Sequence, residues 1–125
     1  MLDHILPLFF CQQDFITAGY SSPLDISIVV PVCNKWSLQV TGLDANGANV
    51  AAEAWDVTLQ ASNDGVGYDG DTTTAMLRHV SGTNADGAVV KSNGNLMPVR
   101  RARVHVVSVT LGSATKIRVT AVGDR

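Results

Sequence analysis

An all-β fold, an antiparallel β-sandwich of jelly-roll or immunoglobulin-like kind, is the class this chain predicts. Three observations predict it. Trp55, Val57, Leu59 and Ala61 alternate with Asp56, Thr58, Gln60 and Ser62, the period-two pattern of a half-buried strand. Similar short alternating stretches recur along the chain, each bounded by turn residues. No stretch has the length and periodicity of a crossover helix.

Residues 1–25 read as an irregular arm. Leu2, Ile5, Leu6, Leu8, Phe9, Phe10, Phe15 and Ile16 are strongly apolar, and all three phenylalanines of the chain are here. Pro7, Pro23 and the run from Thr17 to Ser22 disfavour a long regular element. An apolar, proline-broken terminus that cannot bury itself alone is an assembly device, and the expectation is that it docks on a neighbouring subunit. The alternative is an arm lying across its own domain's core. Removing residues 1–22 is then expected to leave a folded domain, residues 26–125, that no longer assembles.

The remaining elements follow in order. Residues 26–33 are β-rich, but Pro31 removes a ladder donor and marks an edge or broken strand. Trp36, Leu38 and Val40 alternate with Ser37, Gln39 and Thr41, a clear strand. Residues 42–47 form a loop, and residues 48–54 a short helical turn or a lead-in to the strand at Trp55. Asn63-Asp64-Gly65 supplies turn chemistry after that strand. Strands are expected at about 74–80 and 88–91. The longest candidate spans 99–111, where the apolar phase slips by one residue at Val106-Val107. A β-bulge there restores a common buried face. Gly112-Ser113 turns the chain into a last strand over 115–122, with Ile117, Val119 and Ala121 inward.

Composition narrows function by exclusion. The 125 residues suit one domain, and 46% hydrophobic residues suffice for a core. Charged residues are only 16%, so the surface is largely neutral, as suits a protein packed against neighbours. A net charge of -2 argues against a general grip on nucleic acid or anionic lipid. No apolar run approaches the length of a membrane span. Residues 5–10 are too short, and lack the basic flank, for a signal peptide. Cys11 and Cys33 read as free thiols in a reducing cytoplasm.

Candidate chemistry is sparse. Asp64, Asp69 and Asp71 offer hard oxygen ligands to Ca2+, but the spacing is not that of an EF-hand, and a solvated turn is the preferred reading. His4, His79 and His105 are scattered; His79 and His105 are expected on solvent-facing strand positions. No catalytic constellation, phosphate loop or cofactor motif is present, so an enzyme is not expected. Arg100, Arg101 and Arg103 form the one basic cluster, with Arg101 and Arg103 on one strand face and Arg100 opposed. They read as a solvated face that discourages edge pairing, or as a salt-bridge patch against an acidic neighbour such as another copy.

One resemblance adds to this. The order Trp36-Ser37-Leu38-Gln39-Val40-Thr41-Gly42, Trp55-Asp56-Val57-Thr58-Leu59 with Ala61-Ser62-Asn63-Asp64-Gly65, Pro98-Val99-Arg100, and Val109-Thr110-Leu111-Gly112-Ser113-Ala114-Thr115-Lys116-Ile117-Arg118-Val119 resembles small β-sandwich virion proteins of tailed bacteriophages, over about residues 24–123. The resemblance implies a structural capsid decoration or cement protein, a homo-oligomer made in the host cytoplasm and carried in the virion. Its partners would be other virion proteins, the major capsid protein first, and no cofactor comes with it. The contacts expected to serve assembly are Leu2, Ile5, Leu6, Leu8, Phe9, Phe10, Phe15, Arg100, Arg101 and Arg103. The alternative is a tail or fibre adhesion module that stacks sugars on Tyr20 or Tyr68.

Overall fold

Alternation becomes pairing in the computed structural model, which describes residues 9–21, 24–25, 35–62, 64, 66–70, 75–92 and 101–124. Among these residues there are nine strands and no helix: β1 Phe9–Phe15, β2 Gly19–Tyr20, β3 Leu24–Asp25, β4 Lys35–Leu43, β5 Ala54–Ser62, β6 Leu77–Val80, β7 Val89–Lys91, β8 Arg101–Thr110 and β9 Lys116–Asp124. They form two sheets in which every pairing is antiparallel. The first sheet runs β1-β9-β4-β7. The second runs β8-β5-β6, with β2 and β3 following one another along the other side of β8. The expected β-sandwich is the observed fold.

The core lies between the sheets. Trp36, Leu38 and Val40 of β4 and Ile117, Val119 and Ala121 of β9 meet Trp55, Val57 and Leu59 of β5 and Ala102, Val104 and Val106 of β8. These are the residues that the alternation marks as inward. Burying each large aliphatic side chain contributes about 1.5–3 kcal/mol. The phase slip in β8 is a real bulge: Asp56 faces Ser108 while Val57 faces Val106, so Val107 is the extra residue. After it Val109 and Leu111 turn toward the core. Gly112, at φ 60°, then makes the tight turn into β9 that a side chain would strain.

Residues 9–21 and 24–25 depart from the irregular arm that the sequence suggests. β1 pairs with β9 along all seven of its residues, Phe9 against Gly123 through Phe15 against Ile117. Bends at 16–18 carry the chain to the second sheet, where Gly19 and Tyr20 pair with β8. Phe15 is 7% exposed and belongs to the core, so it is not a contact for a neighbour. The division at residue 25 therefore cuts through the sandwich itself. Removing residues 1–22 would strip one sheet of an edge strand and open the core at Phe15. The physical reason is partner availability: β9 offers a free ladder edge, and pairing there satisfies backbone groups that an arm would leave to water.

Other departures are local. Of the two readings of residues 48–54 the lead-in to β5 is the one observed: residues 48–53 hold no helical turn, and Asn49 is bridged to Leu43. Asp44 organises the turn before them, its Oδ1 accepting from the backbone N–H of Asn46 and Ala48. The polar face of β5 is not solvated: Thr58, Gln60 and Ser62 are buried. His79 is 0% exposed and inward rather than solvent-facing. Cys11 is a free, half-buried thiol against the core. The strand expected at 26–33, and Cys33 with it, lies outside the described residues.

Charge ties β1 to its neighbour. Asp14 faces Arg118 across the ladder and accepts from its Nε at 2.8 Å and Nη2 at 3.2 Å, while Lys116 Nζ lies 2.9 Å from Asp14 Oδ2. The Arg118 hydrogen bonds first, and Lys116 after them, hold the Asp14 carboxyl at about 2. The native state thus binds this proton less readily than the unfolded chain does. The tie is complete above the ordinary carboxylate value of 3.8 and is lost as pH falls through about 2. A carboxyl carbon NMR titration is expected to place the Asp14 midpoint near that value. A midpoint at the ordinary value would remove the tie.

Candidate functional site

The outer face of the second sheet carries the most distinctive group of side chains. On β8, Arg101, Arg103 and His105 point outward between the inward Ala102, Val104 and Val106. Register then places Tyr20 opposite His105 and Gln60 opposite Arg103. Tyr20 stacks on His105, with ring centroids 4.1 Å apart and planes 10° from parallel. The Arg103 guanidinium lies 4.1 Å from the Tyr20 centroid and 3.8 Å from the Tyr68 centroid. Two groups cannot share one ring face at that range, so Tyr20 is filled on both faces and Arg103 lies between two rings. The order is His105, Tyr20, Arg103, Tyr68. Arg103 Nε donates to Gln60 Oε1 at 2.9 Å, which fixes the guanidinium in its plane.

Tyr68 is delivered by the turn after β5. Asp64 Oδ1 accepts from the N–H of Val66 at 2.8 Å and of Gly67 at 3.0 Å, and from Ser62 Oγ at 3.1 Å. These donors, the Val66 amide first, pull the Asp64 carboxyl below its ordinary value. Asp69 exchanges with β5: its N–H donates to Ala61 O at 3.0 Å, and its Oδ2 accepts from Ala61 N at 3.0 Å. Gln60 Nε2 donates to Asp69 O at 2.8 Å. Two of the three carboxylates considered for Ca2+, Asp64 and Asp69, thus hold a loop against the sheet. No group of three or more potential metal ligands converges among the described residues; Asp71 lies outside them.

Among the described residues, those expected to serve assembly do not form one site. Leu2, Ile5, Leu6, Leu8 and Arg100 lie outside the described residues, as does the Phe9 side chain. Phe15 is in the core. Phe10, 51% exposed, lies on the outer face of the first sheet, while Arg101 and Arg103 lie on the outer face of the second. Phe10 faces Val122, Val122 faces Ser37, and Ser37 faces Lys91 across four strands. Val122 also lines a shallow groove of about 330 Å3 with Lys35, Ser37, Val89, Lys91 and Asp124. Val89 is itself an exposed hydrophobic residue. Among the described residues no strand covers the outer edge of β1.

Sequence reasoning missed the meeting of Tyr20, Arg103 and Tyr68. The three come from separate strands and loops, and only the β2–β8 and β5–β8 registers join them.

No protein-family model matches the chain, and no curated protein matches it. Among solved structures it is similar to the SPBc2 prophage-derived protein YomS, with a TM-score of 0.53 and 7% identity. That likeness covers 96% of this chain and 98% of YomS, and what it shows is a shared fold.

Proposed function

We propose that the chain is a structural protein of a bacteriophage particle, a decoration or cement subunit that binds a capsid shell as a homo-oligomer. The observation that carries the reading is the outer face of the first sheet. There β1, whose outer edge no strand covers among the described residues, presents Phe10 beside Val122 and the groove lined by Val89. An exposed aromatic on an open strand edge is a site for another chain to cover. The phage setting rests on the resemblance of the strand and turn motifs, with support from the fold shared with prophage-derived YomS. Many copies around a shell make weak contacts sufficient. The sugar-stacking alternative is weakened by the ladder, because both faces of Tyr20 and one of Tyr68 are occupied by this protein's own side chains.

The test is the protein content of particles. Mass spectrometry and cryo-electron microscopy of particles from the source phage or prophage are expected to find the chain on the shell in many copies. Phe10→Ser is expected to keep the melting temperature and weaken incorporation roughly tenfold, the effect of losing an aromatic anchor. Particles that lack the chain, or carry it only on the tail, overturn the reading.

A further inference from the structure

We propose that Arg103 is a receiving site for a planar carboxylate, carried by an Asp or Glu side chain of a partner protein. The observations are a set of donors without acceptors. Among the described residues Arg103 makes one hydrogen bond, through Nε to Gln60, and has no carboxylate partner; its Nη atoms are unbonded. The Tyr68 phenol oxygen is buried and has no hydrogen-bond partner. Tyr20, 52% exposed, brings a second ring to the same cation. A positioned guanidinium with both Nη atoms unmatched calls for an acceptor.

The geometry chooses the acceptor. Tyrosine rings flank the guanidinium, 4.1 Å and 3.8 Å from its Cζ, and Nε is bound to Gln60, which leaves the edge carrying the two Nη atoms for a ligand. A carboxylate meets that edge fork to fork and continues the plane between the rings. A tetrahedral phosphate projects above and below the plane, into the space the rings hold. A slot bounded by two rings also favours a carboxylate on a slender methylene stem over one fixed to a sugar ring. The side-chain entropy of Arg103 is already spent in the ladder, so little more is lost on binding. The source of the carboxylate rests on the assembly reading; the site itself does not.

Side-chain NMR of the full chain tests this through the Arg103 Nε–Hε signal. The probes are acetate, an N-acetylated glutamate amide, glucuronate and inorganic phosphate. Acetate and the glutamate probe are expected to shift the signal saturably. Arg103→Lys, which keeps the charge and loses the fork, is expected to weaken the glutamate probe roughly tenfold by loss of the second hydrogen bond. Tyr68→Ala removes one of the flanking rings and is expected to weaken it about threefold or more. No saturable shift with the wild-type protein overturns the site. Phosphate binding as tightly as acetate overturns the planar slot. Glucuronate binding well above the glutamate probe overturns the protein source in favour of an acidic sugar. Carboxylate binding by a chain absent from particles would sink the proposed function alone, and a silent Arg103 in a chain present on shells would sink this inference alone.

Discussion

Gly42→Ala is expected to cost about 3 kcal/mol or more, the upper range for forcing atoms into a packed interior. A Cβ at this position would overlap Val50 O and stand 2.7 Å from Ala52 N and 3.1 Å from Ala51 C. All three are backbone atoms, so no side-chain rotation makes room. Nor can Gly42 retreat. It pairs with Ile117, its N–H donates to Asp86 Oδ1 at 2.7 Å, and its carbonyl accepts from Val50 N and Asn49 Nδ2. The segment it presses on leads into β5, with Ala52 in the core and Glu53 N–H donating to Thr110 O. Relief would have to come from β4 or from the entry to the central strand. Since a whole domain is stable by only about 5–15 kcal/mol, the variant should unfold at much lower urea than the wild type. Gly67→Ala is the control: nothing lies within 4 Å of its Cβ, and a change within about 0.5 kcal/mol is expected. A Gly42→Ala protein as stable as that control would show that residues 50–52 do not cross β4 as described.

What the sequence makes legible is one-sided burial. β4 and β9 alternate between buried and half-exposed along nearly their whole length, so period two is written plainly in them. The bulge at Val107 is legible for the same reason, because one extra residue shifts every later side chain by one face. β1 is not legible. Its partner β9 lies about a hundred residues downstream, and nothing near Phe15 says that Ile117 will face it. The apolar content of residues 9–15 therefore reads as surplus until the ladder is known. The polar face of β5 misleads in the opposite direction: Thr58 and Gln60 look solvated, yet they are buried at the foot of the Arg103 ladder. Arg103 itself is legible as a charge on a strand. Its rings are not, because Tyr20 and Tyr68 reach it through tertiary register alone.

His79 shows the same limit and gives the chain an acid sensitivity below the ordinary histidine value. Trp55 Nε1 can only donate, and it lies 2.9 Å from His79 Nδ1. Nδ1 is therefore the acceptor, Nε2 carries the proton, and Nε2 donates to Ala88 O at 2.9 Å. A second proton would set Nδ1–H against the indole N–H and place a charge in the core beside Trp55 and Val57. Burial pushes the imidazolium pKa down; the Ala88 carbonyl and the charge of Asp86 pull upward without reversing it. Above 6.5 neither the native nor the unfolded chain holds this proton, and the contribution to stability is complete. As pH falls below 6.5 the unfolded chain takes the proton and the native state resists it. Stability should then drop with a slope approaching about 1.4 kcal/mol per pH unit, until the native site also charges. Urea unfolding at stepped pH values checks this against His79→Gln, whose amide can accept from Trp55 and donate to Ala88 but cannot titrate. His4 and His105 are present in both proteins and cancel in the difference, and Asp14 titrates far below the window. The variant is expected to be less stable at pH 8 and flatter below 6.5, so the two curves converge on acidification. Parallel curves would mean that His79 takes its proton as easily folded as unfolded, which a ring pinned between an indole N–H and a carbonyl in this core does not allow.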